Sequence, residues 1–86
     1  MINQKDNFEA WVGLIDGLDE AKEHLASLMN QLHSAGQMDE SEFAVHLGHV
    51  YAHLNRVWNR RNRASELTDQ EWETFSAFPT DIRPVG

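Results

Sequence analysis

A ridge of ionisable side chains between residues 42 and 63 is the part of this sequence best suited to chemistry. Its members recur at alternating intervals of four and three residues, which places them on one face of an α-helix. That face lies about 110–120° around the helix from the apolar stripe of the same segment. We call it the His/Arg ridge, and it comprises Glu42, His46, His49, His53, Arg56, Arg60 and Arg63.

Metal binding is one chemistry that the ridge permits. His46 and His49 are three residues apart, and His49 and His53 are four apart, so neighbouring imidazoles can converge on one ion. No zinc signature such as H-E-x-x-H is present, and a row of solvated histidines would show the same spacing. The simpler expectation is therefore no cofactor, and a divalent metal held by His46, His49 and His53 is the alternative.

The arginines of the ridge suggest a second chemistry, the binding of anions. Arg56, Arg60 and Arg63 lie about one turn apart, a spacing with which a basic helix contacts phosphates. The favoured interpretation is instead that the acids that follow fold back and neutralise the ridge, because the acidic chain would repel a polyanion. We therefore do not expect nucleic acid as a partner. These acids are Glu66, Asp69, Glu71 and Glu73.

Another face of the same helix combines small residues with two large aromatics. Ala44, Gly48 and Ala52 leave room for close approach. Tyr51 and Trp58 supply the large, amphipathic contact surfaces that are enriched at interfaces. We expect a protein partner to bind this face or the ridge, so the candidate partner-binding residues are Tyr51, Trp58, Arg56, Arg60 and Arg63.

Catalysis is not expected. The ridge histidines and His24 could titrate near neutral pH, but nothing in the spacing arranges them in a cleft. The sequence contains no nucleophile elbow, no glycine-rich phosphate loop and no nucleophile with an adjacent base. A helical hairpin also offers little concavity. We predict a protein that is not an enzyme.

Length and composition bound the fold that must position these residues. The chain has 86 residues, no cysteine and a formal net charge of -7, which fits one small soluble domain. A lack of cysteine excludes disulfide scaffolds and thiolate chemistry and suits the reducing cytoplasm. No segment resembles a signal peptide or a membrane span. We expect a cytoplasmic protein without membrane contact.

The first long helix is predicted over residues 6–34. Large apolar side chains recur there at intervals of three and four residues, and only Lys22 interrupts them. Gly17 would suit a turn, but the spacing continues across it without a slip, so we expect one continuous helix. Asp6 and Glu9 have the spacing of a capping box at its start. This apolar stripe, the expected core, comprises Phe8, Trp11, Ile15, Leu18, Leu25, Met29 and Leu32.

A second helix is predicted over residues 39–62, where Asp39 and Glu42 have the spacing of another capping box. Gly36 is suited to the left-handed position that ends the first helix. The connection is therefore short, and two helices joined by a short loop become antiparallel neighbours.

A third, short helix is predicted over residues 69–77, opened by a capping box of Thr68 and Glu71. Two prolines disfavour further helix after it. Residues 79–86 are expected to form an extended tail.

These elements predict an all-α fold in a single domain over residues 1–86: a long antiparallel helical hairpin with a short C-terminal helix. One hairpin cannot cover the broad apolar faces of both long helices, so two hairpins are expected to dimerise into a four-helix bundle. The expected function is that of a small protein-protein interaction or assembly module. Two alternatives stay open: a metal-binding helical bundle that uses the histidine stripe, and an acidic nucleic-acid mimic that inhibits a nucleic-acid-binding enzyme.

Overall fold

Three α-helices and no strand make up the structure, a computed structural model that describes residues 1–86. Helix α1 spans Phe8–Ala35, α2 spans Glu40–Asn59 and α3 spans Asp69–Ser76. Helices α1 and α2 pack together as a hairpin, and α3 packs on α2. The predicted all-α class and the helical hairpin are confirmed. None of the helices combines the length and the apolar character that a membrane crossing requires.

Helix α1 runs without interruption through Gly17, as the continuous spacing predicts. Its N-cap is Asn7 rather than the predicted Asp6, because the Asn7 side-chain oxygen accepts a hydrogen bond from the Ala10 N–H at 3.2 Å. The same side chain donates to the backbone carbonyl of Asn62 at 3.2 Å, which ties the start of α1 to the segment after α2. At the other end, Gly36 adopts a left-handed conformation with φ 72°.

The start of α2 differs from its predicted capping box. Asp39 is the N-cap residue, but its side chain accepts no hydrogen bond from the helix backbone. Its carboxylate instead accepts a hydrogen bond from the Ser41 hydroxyl at 2.8 Å. The Glu42 carboxylate lies 3.7 Å from His46 Nε2, so the prediction of a box is wrong. Helix α2 also ends short of residue 62, because Arg60 already leaves the helical conformation with φ -107° and ψ 14°.

The capping box that opens α3 is confirmed. Thr68 Oγ1 accepts a hydrogen bond from the Glu71 N–H at 3.1 Å, and the Glu71 carboxylate accepts one from the Thr68 N–H at 3.0 Å. The far end of α3 is held by two side chains of α2. Asn55 donates to the Ser76 carbonyl at 2.8 Å, and Asn59 donates to the Phe75 carbonyl at 2.9 Å. These amides satisfy carbonyls that a helix end leaves without intrahelical partners.

The contact between α1 and α2 follows a narrow inner seam of mostly small residues. Gly17 marks a close approach, because a Cβ atom built there would lie 2.6 Å from Val57 Cγ2. Val50 is the buried apolar residue of α2. On α1 the inner seam consists of Ala10, Gly17, Ala21 and Leu28.

The apolar stripe of α1 does not form the core of this chain, which corrects the prediction made from its periodicity. Ile15, Leu18 and Met29 are 54%, 51% and 52% exposed, respectively. Small residues permit the closest approach of two helices, so α1 packs on α2 through the inner seam. The apolar stripe therefore lies to one side of the contact between the helices. A single neighbouring helix covers only one face of α1. Other exposed members of the stripe are Phe8, Leu25 and Leu32.

Candidate functional site

Two flanks run along the hairpin, one on each side of the inner seam. The helical period places large apolar side chains of both helices on one side and ionisable side chains on the other. A groove on the first side is lined mostly by apolar residues, and a groove on the second side is lined mostly by polar and charged residues. We call the first side the apolar flank: Leu18, Leu25, Met29, Leu32, Leu47, Tyr51, Leu54 and Trp58. The second is the polar flank: Glu20, His24, His49, His53, Arg56 and Arg60.

Three imidazoles come together in the middle of the polar flank. The ring centroids of His24 and His49 are 4.0 Å apart, those of His24 and His53 are 4.6 Å apart, and those of His49 and His53 are 5.0 Å apart. One ring nitrogen from each lies within 4.8 Å of the others. The structure therefore unites His49 and His53, as the spacing predicts, but the third member is His24 of α1. His46 lies instead beside the Glu42 carboxylate.

His53 is the buried member of this histidine cluster, with 8% of its surface exposed. Its Nδ1 atom lies 3.2 Å from Nη2 of Arg56 and 3.4 Å from a carboxylate oxygen of Glu20. Its Nε2 atom is buried and has no hydrogen-bond partner. An unpartnered buried polar atom costs about 1–3 kcal/mol, so this nitrogen needs a structural or functional reason.

Burial and neighbouring charge favour the neutral imidazoles of His49 and His53. Desolvation lowers the pKa of His53, and the positive charge of Arg56 lowers it further. Partial desolvation also lowers the pKa of His49, with the neighbouring His24 adding to the effect. A neutral imidazole carries a lone pair on one ring nitrogen, so these two side chains are hydrogen-bond acceptors or metal ligands near neutral pH.

Arg56, a predicted partner-binding residue, is buried within the chain. Its Nη1 atom donates to the Ser76 hydroxyl at 2.7 Å, and its guanidinium carbon lies 4.0 Å from the centroid of the Trp72 ring. Both contacts join α2 to α3. Arg56 therefore binds the chain's own C-terminal helix, which leaves its guanidinium little surface for a partner.

The other two ridge arginines are also engaged by the segment that follows α2. Arg63 makes a bidentate pair with the Glu71 carboxylate, with one of the two bonds 2.9 Å long, and donates to the Ser65 hydroxyl at 3.0 Å. Hydrogen bonds from Arg63 and from the Thr68 backbone lower the pKa of Glu71 to about 2. Arg60 donates to the Ser65 carbonyl at 3.1 Å. The expected folding of acids onto the ridge is confirmed for Glu71.

The aromatic residues predicted to bind a partner lie where the C-terminal tail crosses α2. The Trp58 indole N–H donates to the Asp81 carboxylate at 2.8 Å, and the Arg61 guanidinium lies 3.9 Å from the Trp58 ring centroid. Tyr51 meets Phe78 edge to face, with ring centroids 5.2 Å apart, and stays 45% exposed. The tail therefore covers Trp58 in part and leaves Tyr51 on open surface.

Glu20 and His24 are the residues of the site that the ridge pattern misses, because both belong to α1. A signal for them was present in the inner seam. Ala10, Gly17 and Ala21 are small residues at helical spacing, and the position three residues further along that face is His24. A histidine on the closest-packed face of α1 must meet α2, and Glu20 lies beside it on the polar side.

Comparison of the chain with protein families, with characterised proteins and with solved structures gave no significant match.

Proposed function

We propose that this chain is a non-enzymatic assembly module that forms a homodimer, in which the apolar flanks of two hairpins pack together as a four-helix bundle. The observation that carries the proposal is the exposure of large apolar side chains along one side of both long helices. Met29 is 52% exposed, and Leu25 and Leu54 are 43% and 41% exposed. Contiguous apolar surface of this kind marks an interaction site.

The surface area of the chain supports a second copy as the occupant. Its accessible surface is 6794 Å², whereas a compact monomer of 9.9 kDa is expected to have about 5,200 Å². The radius of gyration, 14.8 Å, also exceeds the roughly 12 Å expected for this length. The excess surface is about 1,600 Å² per chain, or about 3,200 Å² over two copies, which lies within the roughly 2,000–5,000 Å² that obligate homodimers bury in total. Only four apolar residues are buried within one chain, which is a small core.

The distribution of charge also favours self-association through this flank. The chain carries a net charge of -7, so two copies repel each other unless their acids stay apart. On α1 the helical period places Asp16, Glu20 and Glu23 on the side away from the apolar flank. Lys22 is the charged residue of α1 that falls within the apolar stripe, and its long stem can pack there while its ammonium reaches water.

Sedimentation equilibrium over a range of concentrations tests this proposal. We expect a mass twice the 9.9 kDa of the chain. Leu25→Glu places a charge in the middle of the apolar flank and is expected to shift the protein to a monomer, because an unpaired carboxylate would be buried in the interface. Ser27→Glu is the matched control, since it adds the same charge to the exposed opposite face of the same helix.

Two results would contradict the homodimer. One is a wild-type mass of a single chain at every concentration, which would leave the apolar flank to a different protein. The other is a dimer that Leu25→Glu and Ser27→Glu weaken equally, which would place the interface elsewhere.

A further inference from the structure

We propose that His24, His49 and His53 form a binding site for a divalent transition-metal ion, with Zn²⁺ the best match to its donors, on the polar flank. The site joins α1 to α2 within one chain. It is therefore independent of the homodimer, which uses the opposite flank.

The donor set suits such an ion. Imidazole nitrogen is a preferred ligand of zinc, nickel and copper, and His49 and His53 stand one turn apart on α2. His24 reaches the pair from α1, and the three ligand atoms lie within 4.8 Å of one another. In a tetrahedral site with Zn–N bonds of roughly 2.0–2.1 Å, the nitrogens are about 3.3 Å apart. The rings are tilted or stacked here, with interplanar angles of 25° to 41°, so binding requires the side chains to rotate until their nitrogens face one point as well as to approach by about 1.5 Å.

The buried nitrogen of His53 is the strongest single indication of a ligand. Nε2 has no partner within the chain, while Nδ1 lies 3.4 Å from the Glu20 carboxylate. A histidine that binds a metal through one nitrogen commonly donates its other N–H to a carboxylate, which fixes the ring. Glu20 and His53 are placed for this arrangement. The metal would give the orphaned nitrogen a partner, and Glu20 would act as a positioning residue.

Arg56 is the feature of the polar flank that opposes a cation. Its Nη2 atom lies 3.2 Å from His53 Nδ1, and its charge raises the cost of a second positive charge nearby. Its other contacts, with the Ser76 hydroxyl and the Trp72 ring, hold it on α3 without help from His53. A guanidinium only donates, so Nδ1 accepts from Arg56 in this structure and the neutral ring carries its proton on Nε2. Metal binding at Nε2 therefore requires the proton to move to Nδ1, which then donates to Glu20, and requires Arg56 Nη2 to withdraw from Nδ1.

The chemistry of the site follows from its ligand count. Three imidazoles leave at least one position of a tetrahedral ion for water or for a group from outside the chain. Because the ligands come from two helices, the ion cross-links the hairpin at mid-length. A ligand that binds only the folded chain stabilises it in proportion to the logarithm of its concentration.

Calorimetric titration with ZnCl₂ tests the site, with chain purified without a histidine tag and stripped of metal by a chelator. We expect one Zn²⁺ per chain and a rise in the thermal unfolding midpoint when zinc is present. His49→Ala removes an exposed ligand and is expected to weaken zinc binding at least tenfold. His46→Ala is the matched control, because His46 lies on the same helix outside the cluster, and it is expected to change the affinity less than twofold.

Glu20→Gln tests the positioning role separately. Glu20 is an exposed residue, so helix content measured by circular dichroism should not change. Loss of the carboxylate that orients a metal-bound histidine is expected to weaken zinc binding about 10- to 100-fold. Absence of zinc binding overturns the site. So does an equal loss in His46→Ala and His49→Ala, which would indicate adventitious binding along the surface of α2.

The monomeric variant separates this site from the proposed homodimer. Leu25→Glu should bind zinc as the wild type does, with the same stoichiometry per chain. Loss of zinc binding in Leu25→Glu would contradict a site built within one chain, whereas a wild-type monomer that binds zinc would contradict the homodimer alone.

Discussion

The contact between α1 and α2 leaves both the apolar flank and the polar flank of the hairpin uncovered, because a single neighbouring helix covers only one face of each long helix. On the polar flank the chain supplies cover of its own at one end: Arg56 donates to the Ser76 hydroxyl of α3, and Arg60 donates to the Ser65 carbonyl of the segment before α3. On the apolar flank the tail reaches Trp58 and Tyr51, and side chains towards the hairpin loop, such as Met29, stay exposed.

The difference follows from what each kind of side chain requires. Buried polar groups need partners at fixed distances and angles. Apolar surface needs only exclusion of water, which is not directional. A second hairpin can therefore cover the apolar flank without any individual pairing. In the proposed homodimer, contacts of the polar flank stabilise the single chain and the apolar flank serves assembly.

The largest stability effect is expected on the polar flank, from Arg56→Met. This substitution keeps most of the apolar stem and removes the guanidinium that contacts Ser76 and Trp72. A hydrogen bond to a charged group contributes about 1.5–3 kcal/mol and a cation–π contact about 0.5–1 kcal/mol. We expect the free energy of unfolding in urea to fall by about 2–3 kcal/mol.

Arg83→Met is the control for that loss, because Arg83 is an exposed arginine of the tail. Its substitution should change the free energy of unfolding by less than about 0.5 kcal/mol, as surface changes usually do. Equal losses of unfolding free energy in the two variants would contradict the claim that α3 stabilises the chain by covering Arg56.

A smaller effect is expected between the flanks, on the inner seam. Gly17→Ala forces a methyl group to within 2.6 Å of Val57 Cγ2, and we expect a loss of about 1–2 kcal/mol after the gain in helix propensity. Gly13→Ala meets nothing within 4 Å and should gain about 0.5–1 kcal/mol. Urea denaturation of both variants measures the difference. Stabilisation by both would show that the two helices do not approach closely at Gly17.

Acidification should weaken the ion pair between Arg63 and Glu71 of α3 gradually. The pKa of Glu71 is about 2 in the folded chain, below the ordinary carboxyl value of 4.5, because Arg63 and Thr68 stabilise its charge. A lowered pKa contributes stability above the ordinary value, and that contribution is lost as the pH falls from about 4.5 towards 2. Glu71→Gln should lack this component when unfolding is followed against pH by tryptophan fluorescence. Identical pH profiles for the variant and the wild type would contradict the Arg63–Glu71 pair.

The elements of the fold were largely predictable from the sequence because their signals are local. The apolar spacing across Gly17 identified one long helix, and the reciprocal hydrogen bonds of Thr68 and Glu71 were predicted from a four-residue pattern. Two predicted capping boxes did not form, because a neighbouring residue made the hydrogen bond that the prediction assigned to the cap or to the helix backbone. Asn7 took the place of Asp6, and the Ser41 hydroxyl occupied the Asp39 carboxylate.

It was harder to predict which face of each helix is buried within the chain, because burial depends on which other element packs against that face. Periodicity found the stripe that contains Ile15 and Met29, but it could not tell a core within one chain from a surface left for another. The histidine cluster had the same difficulty. His49 and His53 share a helix and were found by spacing, whereas His24 joins them only through the packing of α1 on α2.

Chemical protection of the apolar flank shows whether a second copy of the chain covers it. The chain has no cysteine, so a single introduced thiol reports on one position. Met29→Cys lies on the apolar flank, and Ser27→Cys lies on the opposite face of the same helix. We predict that the labelling rate of Met29→Cys by a thiol reagent falls at least tenfold as the protein concentration rises, while that of Ser27→Cys stays constant. Equal and concentration-independent rates at both positions would contradict cover of the apolar flank by a second copy.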